Sequence, residues 1–183
     1  MHWIYILKCG EKNDKIYVGE TKRLYKRLKE HCEKETGSVT THFFQPNQII
    51  GLYKVEDDFL LIENHLQSTK GNKVTKASAL ALENTITEMC MLSLAEKWDN
   101  VFGGKYHVGF RPASHPCEDK EFNRPFCKCK MPADIKEFNG KPYWRCSKKN
   151  IWSKLQDYAT DDLEFVSQYE CEPCNFYKDF NLF

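Results

Sequence analysis

The chain has 183 residues, 41% hydrophobic and 29% charged, which excludes a disordered or low-complexity protein and allows one domain, or a domain plus a small module. It contains no run of about eighteen apolar residues, so no membrane span is expected. The net charge of +1 hides an uneven distribution: residues 1–34 and 124–154 are basic, at +4 and +7, and the tail 155–183 is acidic, at −6. Two basic regions offset by an acidic tail suit phosphate contacts better than the total implies.

Residues 2–9 alternate, with Ile4 and Ile6 on one face of a strand and Trp3, Tyr5 and Leu7 on the other. The turn cluster Gly10-Glu11-Lys12-Asn13-Asp14 leads into Lys15–Gly19, so the natural reading is a β-hairpin. Thr21 is positioned to cap a helix from about Lys22 to Glu33. On that helix Leu24, Leu28 and His31 keep i, i+4, i+7 spacing, and Arg27 lies four residues before His31. Residues 35–48 are polar and read as irregular. Ile49–Val55 reads as a third, largely buried strand, and Asp58–Thr69 as a helix.

The longest helical pattern runs from about Lys76 to Lys97. Ala79, Leu82, Ile86, Met89, Cys90 and Leu94 form its apolar stripe, and Glu83 falls inside that stripe. A carboxylate on a buried face is costly unless it is paired or holds a cation. Asn100–Tyr106 reads as a glycine turn, and the proline-bearing segment 111–121 as a linker.

Trp3-Ile4-Tyr5, Tyr17-Val18-Gly19 and Arg27…His31 together resemble the GIY-YIG endonuclease superfamily, with Trp3 in place of the usual first glycine. The resemblance implies a mixed α/β fold, with a small antiparallel three-stranded sheet flanked by helices over residues 1–110. It also implies a site made of Tyr5, Tyr17, Arg27, His31 and Glu83. Arginine is permanently cationic and forked to match phosphate oxygens, so Arg27 suits a clamp. Glu83 is the expected ligand of one Mg²⁺ or Mn²⁺. A phenol with a pKa of about 10 is a poor base unless a neighbouring charge makes its ionisation cheaper. Tyr5 is read as the base and Tyr17 as the orienting group, and the two roles are exchangeable.

The N-terminus, Met1-His2-Trp3-Ile4, does not read as a signal peptide, so an intracellular, reducing compartment is expected, nucleus or cytoplasm. Nine cysteines there favour metal ligation and buried thiols over disulfides. Cys127-Lys128-Cys129, Cys146 after Tyr143-Trp144-Arg145, and Cys174 before Phe176-Tyr177 resemble a GRF-type zinc finger over residues 122–183. Four thiolates would close one structural Zn²⁺ site, and a segment this small needs such a staple. Cys171 competes with Cys174 for the fourth position. Cys9, Cys32, Cys90 and Cys117 read as buried thiols.

The expected activity is metal-dependent DNA endonuclease cleavage, nicking or structure-specific, with the finger gripping double-stranded, branched or partly single-stranded DNA. A sequence-specific homing or restriction-type enzyme and a catalytically silent DNA-binding adaptor are the alternatives. The sequence leaves the oligomeric state open.

Overall fold

The computed structural model describes residues 1–33, 37–55, 59–62, 65–68, 76–109, 112–117, 124–139, 141–150 and 173–179. Strand β1 (His2–Cys9) pairs antiparallel with β2 (Lys15–Thr21) and β3 (Pro46–Val55). The expected three-stranded sheet gains a fourth member, β6 (Val101–Gly103), which runs parallel to β2 and gives the order β3-β1-β2-β6. The segment read as a glycine turn therefore closes a sheet edge.

The alternation in β1 sorts side chains onto two faces, as a two-residue period requires. Ile4 and Ile6 join Ile16, Val18, Ile86 and Val101 in one cluster, under helix α3 (Lys76–Leu94). Trp3, Tyr5 and Leu7 join Leu24 and Leu28 of helix α1 (Leu24–Cys32) in the other. No described helix is long and apolar enough to cross a membrane.

Other elements also differ from expectation. Helix α1 starts at Leu24, and Thr21 is not its cap: the Thr21 hydroxyl accepts from the Arg23 N–H at 3.0 Å, and Arg23 is the capping residue. The stretch read as irregular holds a five-residue helix, α2 (Val39–Phe43), started by a reciprocal Ser38–Thr41 capping box. The helix expected over 58–69 is replaced by two short antiparallel strands, β4 (Phe59–Ile62) and β5 (His65–Ser68). A four-residue apolar run cannot be told from a helical turn by periodicity alone. Helix α3 ends at Leu94 and passes into a 3-10 turn, Ala95–Asn100.

The C-terminal region forms a second antiparallel sheet, β7 (Asp134–Phe138), β8 (Lys141–Arg145) and β9 (Tyr177–Asp179). It packs on β3. The Tyr53 hydroxyl donates to the Pro132 carbonyl at 2.5 Å, and the Ser147 hydroxyl donates to the Ile50 carbonyl at 3.4 Å. The Arg124 guanidinium lies 5.2 Å from the Tyr53 ring and 5.7 Å from the Trp144 ring. Among the described residues its Nε and Nη1 have no hydrogen-bond partner, and the two ring faces lie against its charge. Cys127, Met131 and Cys146 belong to the same apolar cluster as Ile50 and Tyr53.

Candidate functional site

Tyr5 sits mid-strand on β1 and is fully buried. Its ring crosses the strand pair at Gly19, directly opposite in register. A Cβ at Gly19 would lie 2.3 Å from the Tyr5 hydroxyl, so the absence of a side chain is what admits the phenol. Gly19→Ala should destabilise the fold by about 1–3 kcal/mol through overpacking and displace the ring. Thermal unfolding checks this, and an alanine variant as stable as wild type would refute the close approach.

The Tyr5 hydroxyl lies 2.6 Å from His31 Nε2, and His31 Nδ1 lies 2.8 Å from Thr41 Oγ1. Thr41 Oγ1 donates to the Ser38 carbonyl at 3.2 Å, which leaves it an acceptor toward His31. With that donation the proton is assigned to His31 Nδ1, and Nε2 accepts from Tyr5. Burial and the Arg27 charge hold the imidazole down to about 3, so it is neutral at ordinary pH. Tyr17 closes the cluster, its ring 6.3 Å from Tyr5 and 5.1 Å from His31.

Arg27 pairs with Glu30 at 2.9 Å and lies within hydrogen-bonding reach of both phenols. Burial disfavours its charge, but Glu30 and the two tyrosines outweigh that and raise its pKa. Burial is also the main reason both tyrosines titrate above the ordinary range, with Arg27 pulling them back down. Tyr5 is sealed from solvent and Tyr17 is half-buried.

Glu83 projects from the first half of α3 and is 6% exposed. Burial, reinforced by Glu20, pushes its carboxyl up to about 7 against the partial relief of Arg27 and a backbone N–H. That N–H belongs to Gly104 and donates to Glu83 Oε1 at 3.1 Å. The turn after β6 is held close to α3: the Lys105 N–H donates to Asn84 Oδ1 at 2.9 Å, and a Cβ at Gly104 would meet that oxygen at 2.0 Å. Gly104 has φ +52, which also favours glycine. Asn100 accepts from Lys15 Nζ at 2.6 Å.

The two tyrosines, Arg27 and His31 are thus in mutual contact, and Glu83 is close enough to act electrostatically on all but His31. A single carboxylate with a hard oxygen suits a magnesium-type ion, and its burial without full compensation is what such an ion would relieve. Three contributors escape sequence reasoning: Thr41, which sets the His31 tautomer, Gly19, and the Gly104 N–H. Thr41 lay in a segment read as irregular, and only the S-x-x-T spacing could have signalled its cap.

The second cluster lies in the C-terminal region. The Sγ atoms of Cys127, Cys129, Cys146 and Cys174 all lie within 4.8 Å of one another, with Cys129 and Cys146 at 3.9 Å. A tetrahedron with metal–sulfur bonds of about 2.3 Å has edges of about 3.8 Å, so the set fits a structural zinc ion. Hydrogen bonding between Cys127 and Cys146 lowers the Cys146 thiol below its ordinary value, so the pair shares one proton more readily than two. Cys171 lies outside the described residues. Trp144 is buried, while Tyr143 stacks on Tyr177 with ring centres 5.1 Å apart.

No curated protein and no solved structure matches the chain. Residues 1–86 match the family model of the GIY-YIG catalytic domain, a span that contains Tyr5, Tyr17, Arg27, His31 and Glu83 and excludes the cysteine cluster. The N-terminal part of the chain is a GIY-YIG domain, a member of a nuclease superfamily.

Proposed function

We propose that the protein is a metal-dependent DNA endonuclease whose site is Tyr5, Tyr17, Arg27, His31 and Glu83. The observation that carries this reading is the contact of a guanidinium with two phenols and a neutral imidazole, beside a buried carboxylate. Arg27 binds and orients the scissile phosphate through its forked N–H groups. Tyr17, the more exposed phenol, meets the attacking water; it must first give its own proton to solvent before it can take one from that water, a loss that burial opposes and Arg27 makes cheaper. This assigns the exchangeable tyrosine roles in the reverse order from the sequence reading. Tyr5 holds the His31 ring through Nε2 and excludes water behind it. Glu83 would hold one Mg²⁺ or Mn²⁺, which when bound supplies positive charge to the phosphate and the leaving oxygen.

We assign the cysteine cluster to one structural Zn²⁺ in a GRF-type finger over residues 122–183, joined by 111–121 to a catalytic part over 1–110. Lys128 and Lys130, exposed around that cluster, would grip DNA backbone. A reducing compartment, nucleus or cytoplasm, suits the free thiols.

Plasmid, flap and branched substrates incubated with Mg²⁺, Mn²⁺ or EDTA test the reading. Cutting should need the divalent ion and fall about 10²–10³-fold in Arg27→Ala, as for loss of a charge-stabilising group. Products confined to one sequence would favour a homing or restriction-type enzyme. Binding without cutting by any version would favour the adaptor.

A further inference from the structure

Helix α2 is turned inside out. Its polar residues Thr40 and Thr41 are 2% and 1% exposed, whereas Val39 and Phe43, four residues apart on its outer side, are 65% and 66% exposed. In an amphipathic helix that serves only the core the two sets exchange places. The next residue shows that burial of an aromatic was available here: Phe44 packs on Phe102 with ring centres 5.7 Å apart and receives Lys15 Nζ at 5.6 Å. The inward face of α2 is also the one that builds the site, because Thr41 fixes His31 and Ser38 hydrogen-bonds to Tyr17.

The geometry points to Phe43, backed by Val39 and edge-stacked by His42, as a stacking wedge for an unpaired base beside the scissile phosphate. The proposal rests on the nuclease reading of the adjoining site and names its substrate class: DNA with a frayed, flapped or branched junction at the cut. The Phe43 and His42 rings meet nearly perpendicularly, at 85° with centres 5.5 Å apart, and Phe43 stays 66% exposed, so at least one face of its ring is open to solvent. A base offers a flat π-face whatever its sequence, so an exposed ring beside a phosphate-binding guanidinium selects for unpaired strand rather than for a sequence. Other cations are present: α1, against which α2 packs, exposes Lys26 and Lys29, and Arg23 precedes it. A helix is about 10 Å across with its side chains, so the wedge sits one helix width from Tyr17 and His31. In intact duplex the bases are stacked on each other and offer Phe43 nothing.

The test places 2-aminopurine at the first unpaired nucleotide of a flap and compares it with the same strand fully paired. Wild-type protein without divalent ions should change the flap signal saturably and leave the duplex signal unaltered. Phe43→Ala should lose that change and lower the preference for flap over duplex, in binding and in cutting, about tenfold, the loss of one stacked base. Phe43→Trp should restore both. Because Phe43 is exposed, its removal should leave the melting temperature nearly unchanged. Equal flap and duplex preferences in wild type and Phe43→Ala would overturn the wedge. So would a Phe43→Ala variant that changes only oligomeric state in light scattering, which would assign the patch to a second copy of the chain. A wild type that stacks the flap base but cuts nothing would keep the wedge and sink the nuclease reading.

Discussion

Glu83→Gln should abolish divalent-ion-dependent cutting and, without divalent ions, make the fold more stable at pH 8. The carboxyl titrates near 7 in the folded chain against an ordinary value of 4.5. Between those values the folded state keeps a proton that the unfolded chain has released, so stability falls as pH rises through the window. Above pH 7 the whole penalty is in place, about 3 kcal/mol for such a shift. Glutamine keeps an acceptor for the Gly104 N–H and carries no charge. The variant should therefore gain about 1–3 kcal/mol at pH 8, a few degrees of melting temperature, and almost nothing at pH 4.5. Adding Mg²⁺ should stabilise the wild type and not the variant, erasing the difference. His31 works with the opposite sign: its pKa lies near 3 when folded and 6.5 ordinarily, so its contribution is lost as pH falls below 6.5. Melting curves across pH 4–8 separate the two. A Glu83→Gln protein no more stable than wild type at pH 8 would show that the carboxylate is not strained.

The second large effect concerns the four cysteines. Stripping the ion with a zinc chelator, or replacing Cys146 with serine, should unfold the C-terminal sheet and weaken the catalytic sheet too. Cys127, Met131 and Cys146 share an apolar cluster with Ile50, Tyr53 and Val55 of β3, and the Tyr53 hydroxyl has its partner at Pro132. Losing that cover leaves the inner side of β3 wet and the buried hydroxyl partnerless. About 2–5 kcal/mol of the remaining stability should go, as when core positions are emptied. Amide exchange read at Ile50 and Leu52 is the sensitive probe, since a finger acting as an independent bead would leave β3 protection untouched.

What the sequence made legible was what periodicity encodes. The Leu24, Leu28, His31 stripe and the opposed faces of Ile4 and Tyr5 lie where their spacing puts them, as does Glu83 within its apolar stripe. The missed features are those that local pattern does not carry. Strand β6 is three residues long and is defined by a partner far away in the chain. Helix α2 is too short to show a period and reverses the usual polarity. The role of Gly19 depends on which ring crosses it, which only register reveals.

The lateness of β6 bears on how the molecule comes into being. Ile16 meets Val101 only after α3 has been made, so the flank of the strand bearing Tyr17 stays open until the last strand of this sheet has been synthesised. Long-range parallel pairing of this kind is slow to form and exposes an unpaired border meanwhile. The Gly104 amide that steadies Glu83 arrives on the same late segment. A nascent chain would thus acquire its aromatic–guanidinium nest before its acidic arm's anchor, so this cluster would be complete only when that segment docks.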